Sequence, residues 1–61
     1  MNESMTKAIH SLQFARADLL AALHVGSPVE AIILTDIIGK VAVALAQVEG
    51  LALAMDAKEL V

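Results

Sequence analysis

Polar and apolar positions follow a helical period along nearly the whole chain. Met5, Ile9, Leu12, Leu19, Leu20 and Leu23 gather on one face at about 100° per residue, while Lys7, His10 and Asp18 fall on the other side. This spacing predicts a helix from about Met5 to His24, with Ser4 or Thr6 as its cap and a length of roughly 30 Å. The period then breaks at His24-Val25-Gly26-Ser27-Pro28-Val29-Glu30. Gly26 can end a helix in the left-handed conformation, Ser27 can cap the next helix, Pro28 suits its first position, and Glu30 completes an S-x-x-E capping box. The predicted turn is therefore residues 25–27. Two helices joined this tightly fold back on one another as an antiparallel αα-hairpin.

The second helix is predicted from Pro28 to about Glu59. Leu34, Val41, Val48 and Met55 recur every seven residues, and either Ile37, Ala44 and Leu51 or Ile38, Leu45 and Ala52 supply the intermediate positions of a heptad seam. A separate stripe comprises Ile32, Gly39, Val43, Ala46, Gly50, Leu53 and Ala57, rich in small residues that would let another helix approach closely. Only a narrow strip near Asp36, Lys40, Gln47 and Lys58 is persistently polar, with Asp36 and Lys40 spaced for an i,i+4 pair. Gly39 and Gly50 each weaken the helix by about 1 kcal/mol relative to Ala. Gly50 could thus end it and leave Leu51 to Leu60 as a third short helix, but the heptad crosses Gly50 in register and favours continuity. A continuous second helix would overhang the first, leaving Leu51, Leu53, Met55, Leu60 and Val61 as an adhesive end.

Composition adds a second requirement. The chain has 61 residues, 59% of them apolar and only one aromatic, so it is too short for two domains and too apolar for disorder. A domain of this size hides only about 60% of its unfolded surface, and such domains usually rely on a disulfide, a metal or a partner subunit. Cysteine is absent, and two histidines cannot by themselves complete a structural zinc site. Self-association remains. A helix apolar almost all round is normally buried on more than one side, and the first helix can cover only one. The expected architecture is all-α: one helical-hairpin domain over residues 1–61, assembled as a homodimeric four-helix bundle.

Phe14, the single aromatic, points away from the leucine stripe, where it would be buried between protomers or serve as an anchor on another protein. Arg16 falls near the middle of that stripe. Its aliphatic stem can pack while the guanidinium reaches the edge, or it can make a buried pairing that sets register or partner choice. Together with Ile32, Gly39, Val43, Ala46, Gly50, Leu53, Met55 and Leu60, these two residues are the expected dimer or partner contacts.

Charge and motifs narrow the chemistry. Four Lys+Arg against seven Asp+Glu give a net charge of −3, the wrong sign for affinity built on phosphate contacts. The longest stretch without a formal charge, Leu19 to Val29, contains Gly26, Ser27 and Pro28, and is far short of the about 20 apolar residues of a spanning helix. The N-terminal MNESMTKAIH has no basic region leading into an apolar core, so no secretory signal is expected and the expected location is cytoplasmic. His10 and His24 are fourteen residues apart, roughly 21 Å along a helix, too far to share a metal in one chain. The carboxylates form no E-x-x-H pattern, the hydroxyls have no histidine-plus-acid constellation, and the glycines are too dispersed for a phosphate loop. No enzyme activity, cofactor or metal is expected.

The segment from Leu12 through Gly26-Ser27-Pro28-Val29-Glu30 to Val48-Glu49-Gly50 resembles the helical hairpin of tRNA-modification GTPases of the MnmE type. It needs two extra residues in the second helix and lacks that family's C-terminal cysteine motif and GTPase domain, so the resemblance implies a hairpin and no activity. The architecture is also similar to the small plasmid repressor-of-primer dimers, in fold only. The expected function is a non-enzymatic interaction protein, a dimeric hairpin docking on another protein as regulator, inhibitor, anti-activator or adaptor. The alternatives are an RNA-binding hairpin dimer, a structural subunit of a larger helical assembly, and a membrane-surface helix.

Overall fold

The computed structural model describes residues 2–59 as two helices, α1 (Glu3–Val25) and α2 (Pro28–Glu59), packed against each other as a hairpin. α1 starts earlier than the apolar pattern suggests because Asn2, not Ser4 or Thr6, caps it. The Asn2 Oδ1 accepts a hydrogen bond from the Met5 N–H at 2.8 Å, and the Asn2 carbonyl accepts from both the N–H and the hydroxyl of Thr6 at 3.1 and 3.2 Å. Glu3 in the first turn and His24 in the last suit the two ends of the helix dipole. Glu3 also pairs with Lys7, one turn on, at 3.4 Å.

Two residues, Gly26 and Ser27, reverse the chain. Gly26 is extended, with φ −82° and ψ 163°, so the left-handed ending expected for it does not form. Pro28 has no N–H to bond back onto the last turn of α1, a bond that a Schellman-type left-handed ending uses two residues beyond the cap. Pro28 disfavours helical backbone at Ser27, and the extended conformation it imposes is the one an N-cap requires. Ser27 then accepts the Glu30 N–H on its side-chain oxygen at 3.3 Å and the Ala31 N–H on its carbonyl at 2.8 Å. The Glu30 side chain lies beside Gly26: a Cβ added at Gly26 would sit 3.2 Å from Glu30 Oε2 and 3.4 Å from the Ala22 carbonyl oxygen. Gly26 therefore serves close approach between the helix ends rather than unusual backbone.

α2 continues unbroken for 32 residues through both internal glycines. Thr35, a weak helix former, directs its hydroxyl back to the Ala31 carbonyl at 2.7 Å, which satisfies it without disturbing the ladder. The molecule is 51 Å long and 16 × 11 Å across, so α2, at about 1.5 Å per residue, sets nearly the whole length.

The seam selects one of the two heptad frames. Leu45 and Ala52 are the buried residues among those described, at 5% and 3% exposure, while Ile38, Leu34, Val41, Val48 and Met55 are half-buried. In the alternative frame Ile37 and Leu51 are exposed. α1 contributes Met5, Ile9, Leu12, Leu19 and Leu23, all half-buried, and none of its residues is fully covered. Leu20, at the edge of the same stripe, is exposed. Burial of Ala52 and Met55 also shows that the start of α1 covers this part of α2, because α1 is longer at its beginning than the apolar period implies.

Substitution Leu45→Ala should cost about 2 kcal/mol or more, as for a large-to-small change at a packed site. Ser27→Ala should cost about 1 kcal/mol through loss of the cap. Urea unfolding followed by circular dichroism measures both, and a Leu45→Ala variant as stable as the parent would contradict the seam described here.

Candidate interaction surface

A single row of two helices has one seam and no enclosed interior, so apolar side chains that miss the seam face water. They are large and they are grouped. On α2 the outward side carries Ile32, Val43 and Leu53, at 74%, 59% and 71% exposure, with Gly39, Ala46, Gly50 and Ala57 exposed between them. These positions repeat at alternating spacings of four and three, as the seam positions do. At about 100° per residue they lie roughly 150° around the helix from the seam. α2 therefore has two heptad faces, of which α1 covers one.

The glycines of the outward face have no packing partner within the hairpin. A Cβ built on Gly39 or on Gly50 would meet nothing within 4 Å. Around Gly39 the missing side chain leaves a shallow open groove bordered by Asp36, Lys40, Val43 and Gln47. Asp36 and Lys40 close on each other at 2.8 Å, both well exposed, so the charge at this end of the face is paired along its own helix.

The other expected contacts are distributed differently. Phe14 is 71% exposed on the side of α1 turned away from α2, and Arg16 is also exposed. Arg16 interrupts the apolar row of α1 between Leu12 and Leu19, and its exposure means that no buried pairing forms within the chain. Met55 lies on the inner seam and is half-buried, so it belongs to the hairpin contact and not to the outward face. Leu60 and Val61 lie outside the described residues.

Sequence reasoning missed an apolar cluster at the turn. Val29 and Ile33 are exposed beside the exposed Val25, next to a shallow groove that Ala22, Gly26 and Leu34 help to line. The signal was available. Once the seam is assigned to Leu34 and Ile38, Val29 and Ile33 at i,i+4 must fall outside it.

Ser27 and Thr35 are engaged with the backbone at the start of α2, and His10 and His24 are both exposed on α1. Among the described residues no group of three His, Cys, Asp or Glu side chains is placed to hold a metal ion. Among the same residues, no helix is long and apolar enough to cross a membrane.

No family model, curated protein or solved structure matches the chain. The likeness of Leu12 to Gly50 to a GTPase hairpin thus stands on the helix-turn-helix pattern alone.

Because Phe14 makes so little contact within the hairpin, Phe14→Ala should change unfolding by less than about 0.5 kcal/mol. Urea titration at low protein concentration tests this, and a loss of several times that amount would place Phe14 in an intramolecular contact.

Proposed function

We propose that this chain is a small non-enzymatic interaction protein, a helical hairpin that pairs with a second copy as a four-helix bundle and docks on another protein in the cytoplasm. Regulator, inhibitor, anti-activator and adaptor are the roles such a module fills. One observation carries the reading: ten large apolar side chains are exposed while only Leu45 and Ala52 are buried among the described residues. Isolated exposed apolar residues are ordinary, but contiguous apolar faces on a small protein mark contact surfaces. The depressions on the hairpin are shallow and open to water, unlike the concave sites that bury most of a small ligand.

Self-pairing disposes of outward apolar surface on α2, and Phe14 on α1 remains as an aromatic anchor for the target. The net charge of −3 supports a protein target over RNA.

The experiment is light-scattering mass of the full chain across a concentration series, with affinity capture from the native host by the parent chain and by Phe14→Ala. The expected result is a mass of two chains and a captured protein that the variant retains less well. A stable monomer that captures nothing would sink the proposal. A mass far above a dimer would favour a structural subunit, and capture of RNA that is lost steeply with added salt would favour the nucleic-acid alternative.

A further inference from the structure

The second copy can be seated on the hairpin by the chemistry of one face. We infer that two hairpins pair through the outward face of α2, antiparallel, with the dyad between Ala44 and Leu45. This rests on the reading above that the hairpin is a homodimer, and specifies how: since the outward face lies roughly 150° from the seam, the four helices line up nearly in a row, α1 and α2 of one copy followed by α2 and α1 of the other, in place of a square bundle.

The first argument is area. The chain exposes 4516 Å², against about 3,800 Å² expected for a compact folded chain of 6.4 kDa. The surplus, about 700 Å², is close to the roughly 800 Å² that each partner contributes to a standard stable interface. A second copy covering one standard interface would offset that excess.

The second argument is shape. About a dyad at that point, Gly39 meets the partner subunit's Gly50, Val43 meets the partner subunit's Ala46, and Ile32 meets the partner subunit's Ala57. In these pairs large side chains face small ones and glycine faces glycine where the helices must approach closely, while Leu53 falls opposite the partner subunit's Asp36, whose carboxylate is paired with Lys40 on its own helix. Both glycines are free to accept such a neighbour, since a Cβ at either meets nothing in its own hairpin.

The third argument is charge, and it sets the direction. Asp36 is the one charged residue within this apolar row. Parallel pairing in register would set it against the partner subunit's Asp36, whereas the antiparallel arrangement separates the two by about 25 Å along the helices. It also brings Lys40 beside the partner subunit's Gln47, without a like-charge contact.

The chain has no cysteine of its own, so introduced thiols report the pairing cleanly. Under mild oxidation, a mixture of Val43→Cys and Ala46→Cys chains should form disulfide-linked pairs. Leu53→Cys alone should not, because its two copies would be about 25 Å apart, far beyond the roughly 7 Å limit for bridged Cα atoms. In parallel, Gly39→Ala with Gly50→Ala should retain or raise helicity while weakening self-association by about tenfold or more, since added methyl groups overpack a close interface. Linking of Leu53→Cys, or a dimer that neither the alanines weaken nor the Val43 and Ala46 thiols link, overturns this inference and leaves the homodimer standing. A monomer at every concentration overturns both.

Discussion

The structure depends on one strip of contact, the seam where α1 lies along α2. A pair of helices offers each element a single neighbour, so burial is confined to the positions that face it. Leu45 and Ala52 are buried there, and every other described seam residue keeps part of its surface in water. This constraint explains why 59% apolar composition coexists with so small a core. Adding apolar residues to a two-helix row beyond the width of its seam adds exposed surface, because there is no further interior for them to enter.

The caps decide how the seam is registered. Asn2 fixes where α1 begins, and Ser27 with Pro28 fixes where α2 begins, so the two helices meet at defined positions rather than sliding along one another. Their exposed ion pairs, Glu3 with Lys7 and Asp36 with Lys40, run along single helices and do not link one helix to the other. Such pairs add only a few tenths of a kcal/mol each. The contact between α1 and α2 therefore draws on apolar packing and not on these two pairs.

Much of this was legible in the residues, and the rest was hidden for specific reasons. The reversal was plain because Gly26, Ser27, Pro28 and Glu30 each signal a helix boundary independently. The choice between the Ile37 and Ile38 heptad frames was not, since they differ by one residue, about 100° of rotation, and α2 is apolar on both sides. Asn2 was overlooked in favour of Ser4 and Thr6 because those stand nearer the first apolar residue, and only the hydrogen bonds separate the three. Gly26 misled because a glycine after a helix suggests a left-handed ending, whereas Pro28, two residues later, has no N–H to bond back onto the last turn of α1. For the candidate surface, the stripe from Ile32 to Leu53 could be read from its spacing, while Val29 and Ile33 became visible only after the seam was placed.

The two-residue link between the helices also has a kinetic meaning. It joins α1 to α2 across a very short loop, so the ends of the seam nearest the turn can close with little loss of chain entropy. Contacts nearer Met5 and Met55 close longer loops, but each doubling of loop length adds only about 0.6 kcal/mol. Proteins built of such local contacts fold in microseconds to milliseconds.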